Sequence, residues 1–113
     1  MMILLVCGGR DYDDEYLLFA TLNALEEKPV ALVHGAARGA DCLAGKWARK
    51  NNVLEISVPA EWDIYGRSAG YIRNKKMVDD YCPDLILAFP GGKGTKMMMD
   101  IAMARGIPVR CVD

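Results

Sequence analysis

The sequence predicts an α/β fold: a Rossmann-like three-layer sandwich with a five-stranded parallel sheet in the strand order 3-2-1-4-5. Two observations carry that expectation. Five short apolar runs recur along the chain, and most are continuous rather than alternating, as strands buried on both faces require. Between them lie four segments with helical spacing, so strand and helix alternate throughout. Such alternation favours right-handed crossovers, which put helices on both faces of the sheet.

The first strand is Ile3 to Cys7. Leu18, Leu22 and Leu25 mark the first helix; Asp13, Asp14 and Glu15 suit the positive end of its dipole, and Pro29 stops it. Val30 to His34 is the second strand, and Ala40, Leu43, Ala44, Trp47 and Ala48 mark the second helix. After the third strand, Val53 to Val58, an irregular stretch from Ala60 to Arg67 leads to a helix that Ser68 caps and that runs to about Tyr81, before Pro83. Leu85 to Phe89 is the fourth strand. Met98, Ile101 and Ala102 mark the fourth helix, and Gly106 closes it before the last strand, Pro108 to Val112. No repeat or linker interrupts the pattern, so the 113 residues are expected to form one domain, 1–113.

An apolar fraction of 52% with 26% charged residues is ordinary for a folded soluble chain. The formal charge of −1 creates no field that would advertise nucleic acid or a membrane surface, although a local basic patch stays open. Cys7, Cys42, Cys82 and Cys111 contain no C-x-x-C pair, and each lies in or beside an apolar run, where a reduced thiol behaves as a small hydrophobe. With a single histidine, neither a metal site nor a bound cofactor is expected. Met1 to Val6 is apolar but lacks a basic flank and is too short to span a bilayer. A cytoplasmic protein with no membrane partner follows as the expectation.

The chemistry concentrates in loops. Pro90-Gly91-Gly92-Lys93-Gly94-Thr95 joins an apolar strand to a helix. Glycines let the backbone approach a ligand, and the first helical N–H groups have no helical partner, so the segment suits an anion. In the order 3-2-1-4-5 the winding reverses between the first and fourth strands, and ligands bind outside the carboxyl ends of strands at such a reversal. The other loop there is Gly8-Gly9-Arg10-Asp11, again glycine-rich and with an arginine to reach a phosphate. Neither loop is a G-x-G-x-x-G fingerprint or a P-loop.

The second strand ends in His34-Gly35-Ala36-Ala37-Arg38-Gly39-Ala40-Asp41. Asp41 either caps the following helix or accepts hydrogen bonds from a ribose or base; His34 is either a general base or a structural residue. Arg73 shares a helical stripe with Ala69 and Met77 and needs an acidic or anionic partner. Trp62 and Tyr65 either stack on a base or close the core, with Arg67 available to a phosphate. Met97, Met98, Met99 and Met103 exceed one buried stripe, which points to a homodimer interface or to a methionine-filled core with one exposed thioether.

Together, Gly8-Gly9-Arg10-Asp11, His34 to Asp41, the Trp62 to Gly66 loop, Arg73-Asn74-x-x-Met77 and Pro90 to Thr95 resemble the SLOG superfamily, which joins the Smf/DprA proteins to the LOG phosphoribohydrolases. More narrowly the chain is similar to the YspA/YpsA-related small SLOG proteins of bacteria and phages. The resemblance implies a Rossmann-like fold, a nucleotide-type ligand at the glycine-rich loops, and dimers or higher assemblies. It also implies a range of roles, from enzymes through signal sensors to DNA binders; the LOG enzymes cleave nucleoside 5′-monophosphates with an arginine that aligns with Arg73 and a glutamate three residues after the threonine. Here that position is Met98, which can neither take a proton nor stabilise an oxocarbenium-like centre. Asp41 or Glu61 would have to supply the carboxylate instead. The segment from His34 to Asp41 also resembles a loop of DprA, a single-strand DNA handler.

The expected function is therefore binding of a nucleotide or nucleotide-derived molecule, such as an ADP-ribose-like or NAD-derived compound, by a sensor or sequestering protein. The ligand-binding residues expected are Gly8, Gly9, Arg10, His34, Gly35, Arg38, Gly39, Asp41, Trp62, Tyr65, Arg67, Arg73, Asn74 and Pro90 to Thr95. The alternative is an N-glycosidic hydrolase using Asp41 or Glu61 with Arg73. Single-stranded nucleic acid is a third and less favoured ligand.

Overall fold

The computed structural model describes residues 1–113. Five parallel strands, β1 (Ile3–Cys7), β2 (Ala31–His34), β3 (Leu54–Ser57), β4 (Leu85–Ala88) and β5 (Val109–Cys111), form one sheet in the order β3-β2-β1-β4-β5. This is the predicted Rossmann-like order, with β1 paired to both β2 and β4. Side chains alternate across each strand, so the sheet supports two cores. Leu4, Val6, Leu32, Leu85 and Leu87 pack beneath α1 (Glu15–Asn23) and α2 (Ala40–Lys50). Leu5, Cys7, Val33, Ile86 and Ala88 face α4 (Ala69–Tyr81) and α5 (Lys93–Ala104) on the other side.

Asp14 caps α1 by accepting from the Leu17 N–H at 3.0 Å, as its acidic start required. The helix stops at Asn23, short of the expected Leu25 turn, and Leu25 packs on the core from outside it. Ser68 makes no capping bond, because a 3₁₀ turn over Gly66–Ser68 already leads into α4. The expected irregular stretch contains one helical turn, α3 (Trp62–Tyr65), in which the Ile64 and Tyr65 N–H groups both reach the Glu61 carbonyl. Gly66, at φ 55°, ends that turn, a conformation that favours glycine.

The methionines divide unevenly. Met98 is fully buried in the second core, Met97 and Met99 are half-buried against it, and Met103 alone is exposed. A methionine-filled core with one exposed thioether accounts for all four. The cysteines are all unpaired, and no helix is long and apolar enough to cross a membrane.

Candidate functional site

Parallel strands end on one side of the sheet, and at the β1/β4 reversal the two following loops lie against each other. The Gly9 N–H donates to the Pro90 carbonyl at 2.8 Å, and the Phe89 N–H donates to the Cys7 carbonyl at 2.9 Å. That contact explains much of the glycine content. A Cβ on Gly9 would fall 2.9 Å from the Pro90 carbonyl oxygen; one on Gly91 would fall 2.2 Å from Thr95 Oγ1 and 2.7 Å from the Gly9 nitrogen. Gly39, at φ 80°, would collide with the Gly9 carbonyl. Packing by itself already requires glycine at these positions. Around Gly92 and Gly94, by contrast, a Cβ would meet nothing, and neither has a positive φ. The fold leaves that stretch of backbone open.

What it opens onto is a cavity of about 420 Å³. Its floor is Val6, Cys7, Met77 and Met97; its walls are Gly8 to Arg10, Gly35, Ala37 and Asp41 on one side and Arg67, Gly70, Tyr71, Arg73 and Asn74 on the other. Gly92 to Thr95 close one end, and Trp62 stands at the rim. No side chain caps α5, and the first of its N–H groups to find a backbone acceptor is that of Lys96, on Gly92. The N–H groups before it are unpaired and lie at the positive end of the helix dipole. Thr95 is 7% exposed, and its hydroxyl rests against Gly91 without a protein partner.

Replacing Gly91 with alanine should destabilise the fold by roughly 1–3 kcal/mol through the backbone clash. Gly92→Ala should stay within about 0.5 kcal/mol of the parent while crowding the cavity. Urea unfolding of both variants separates packing glycine from open glycine.

Arg73 is held as a fork. Its Nε donates to Asn74 Oδ1 at 2.8 Å and one Nη donates to the Gly35 carbonyl, which leaves the other Nη without a protein partner. Asn74 in turn donates to the Gly94 carbonyl at 3.2 Å, so α4 fixes both the arginine and the first turn of α5. Burial pulls the Arg73 guanidinium below its usual pKa, Asp41 opposes that shift and Arg10 adds to it. Burial likewise pushes the Asp41 carboxyl up, against the hydrogen bonds from Ala37 and Gly35 and the Arg73 guanidinium.

Asp41 does not cap α2. Its Oδ2 accepts from the Gly35 and Ala37 N–H groups at 3.0 and 3.3 Å and pins the loop that precedes the helix. The Ala36 N–H donates to His34 Nδ1 at 3.0 Å, so three successive N–H groups turn inward and Ala36 is held at φ 60°. The Gly35, Ala36 and Ala37 amides are therefore not available to an anion. His34 is 4% exposed, and its Nε2 lies 2.6 Å from Glu55 Oε2, which makes the ring an Nε2–H donor with Nδ1 as acceptor. Those bonds, with a further one from Arg49, hold the Glu55 carboxyl below its usual range. Both nitrogens of His34 are engaged within the protein, and the residue does not line the cavity.

Of the other expected residues, Arg38 lies beside the cavity in an adjoining lobe, and Pro90 and Gly91 face a separate hollow with Gly9 to Asp13. Tyr65, Glu61 and Gly39 line neither lobe. Trp62 is half-exposed, with the Arg10 guanidinium 5.9 Å above its ring. Sequence reasoning missed Gly70, Tyr71, Met97 and the Val6–Cys7 floor. Extending the helical spacing from Arg67 through Asn74 to Met77 would have found Gly70 and Tyr71.

The fold and cavity define a Rossmann-like domain with a pocket at its topological switch point. More narrowly, a profile of the YspA, cpYpsA-related SLOG family matches residues 2–65, and the chain belongs to that family. It is 39% identical over 119 residues to the Gene 61 protein of Mycobacterium phage D29, covering 96% of this chain and 94% of that relative. Among solved structures it is similar to UDP-GlcNAc 2-epimerase from Neisseria meningitidis bound to UDP-GlcNAc, with a TM-score of 0.61 at 14% identity. That similarity covers 99% of this chain and 32% of the epimerase, so the chain spans about a third of that protein's length and shares its fold.

Proposed function

We propose that the protein binds a nucleotide or nucleotide-derived small molecule in the switch-point cavity, as a sensor or sequestering protein. One observation carries the reading: the uncapped N-terminus of α5 opens onto the cavity together with the unpartnered Thr95 hydroxyl and the free Nη of Arg73. In this reading the amides of Gly92 to Thr95 take a phosphate, with Arg73 as its charge partner. Asp41, whose Oδ1 has no protein partner, accepts from a ribose hydroxyl. Trp62 covers the base, which displaces Arg10 from the ring. The shared fold of the UDP-GlcNAc-bound epimerase is compatible with such a ligand.

The test is the melting shift against nucleoside monophosphates, ADP-ribose, NAD and cyclic nucleotides, with phosphate alone as the control. A nucleotide that raises the midpoint more than phosphate does supports the reading; no shift with any of them contradicts it.

A second reading, N-glycosidic hydrolysis, has one favourable observation: Asp41 is the only carboxylate lining the cavity. Free base released from a nucleoside monophosphate, and lost in Asp41→Asn, would favour it over binding. Our reading also keeps a cytoplasmic location and a homodimer or higher homo-oligomer.

A further inference from the structure

Resting on that reading, we propose that the ligand carries two anionic groups, one on the N-terminus of α5 beside Arg73 and the other between Arg10 and Arg38. The cavity does not end at Trp62. A second lobe of about 490 Å³ runs on between the Ala36–Arg38 loop and Pro59–Ala60, and the two lobes share Arg10, Gly35, Ala37, Trp62 and Arg73. Three of the nine residues lining that second lobe are arginines, and none is acidic. In a chain of net charge −1 this is a local concentration of positive charge.

Little of the backbone there is free for the second anion, because the Gly35, Ala36 and Ala37 N–H groups are spent on Asp41 and His34. The task falls to side chains. Arg38 rests on Asp11 at 3.1 Å, but both partners are largely exposed, 74% and 94%, and such surface pairs hold weakly. An anion entering the lobe gives Arg38 a better partner and relieves the repulsion between Arg10 and Arg73. A single phosphate on α5 does not reach this far, since Arg38 lines only the second lobe. The shared chemistry is a nucleoside with a second phosphate, which a diphosphate bridge or a separate ester supplies equally.

Calorimetry with matched pairs tests this: AMP with ADP-ribose, GMP with GDP-mannose, UMP with UDP-glucose, and AMP with adenosine 3′,5′-bisphosphate. For the base that fits, the two-phosphate member should bind roughly tenfold tighter or better. Arg38→Ala, a surface change that spares the fold, should shrink the ratio of the two affinities to about twofold or less. Tighter binding of ADP-ribose or of the bisphosphate identifies the source of the second anion. Equal affinities within every pair, or a preference that Arg38→Ala leaves intact, overturn the two-anion inference alone. Failure of every ligand to bind overturns the nucleotide reading as well.

Discussion

Replacing Arg73 with alanine is expected to weaken ligand binding roughly tenfold or more, the loss of about 1.5–3 kcal/mol that accompanies removal of a charged hydrogen bond. The geometry makes the residue hard to replace. Two edges of the guanidinium are spent on Asn74 and Gly35, and that double anchor aims the third at the cavity. Lysine has one compact ammonium and no fork, so Arg73→Lys should recover only part of the affinity. Folding should suffer less than binding, because the Gly35 carbonyl that loses its donor lies beside an open cavity where water can replace it. Calorimetry set beside urea unfolding separates the two effects. Unchanged affinity would remove Arg73 from the site.

Met98→Glu should be the most destabilising of the changes considered, costing more than about 4 kcal/mol at neutral pH. Residue 98, which the resemblance to LOG enzymes pairs with their glutamate, is fully buried beneath the sheet, in one cluster with Leu5, Val33, Met77 and Ile101, and does not line the cavity. A carboxylate there has neither water nor a partner, so burial raises its folded pKa far above the unfolded value of about 4.3. For an acid raised in this way the penalty is small below the unfolded pKa and grows as pH rises through it. Unfolding followed from pH 4 to pH 7 should show the variant losing stability relative to the parent over that range. It should also release no base from nucleoside monophosphates. A stable variant with hydrolytic activity would mean that the first turns of α5 can rotate residue 98 into the site.

The fold was legible because the apolar runs are short, continuous and regularly spaced; all five strands fall within a residue or so of those runs. Alternation then limited the topology to a few choices, and the glycine loops agreed with the order 3-2-1-4-5. The cavity's location was legible for the same reason. The meaning of each glycine was not. Gly91 and Gly92 are neighbours with identical side chains, yet one is required by the backbone of the facing loop and the other faces open space. That difference exists only once the Gly8–Gly9 loop is packed against Pro90. Likewise, the sequence left His34 and Asp41 each with two readings. What the structure adds is the inward turn of three amides onto both side chains, a feature of the loop's path rather than of its composition.

These amides also provide the most direct test of the phosphate site. Backbone amide resonances should be followed while the tightest nucleotide from the melting panel is titrated into the protein. Gly92, Lys93, Gly94 and Thr95 should show the largest shifts, because their N–H groups are free at the end of α5. Gly35, Ala36 and Ala37, already bonded to Asp41 and His34, should move much less. The largest shifts falling instead on Gly35 to Ala37, with Gly92 to Thr95 unmoved, would contradict the account.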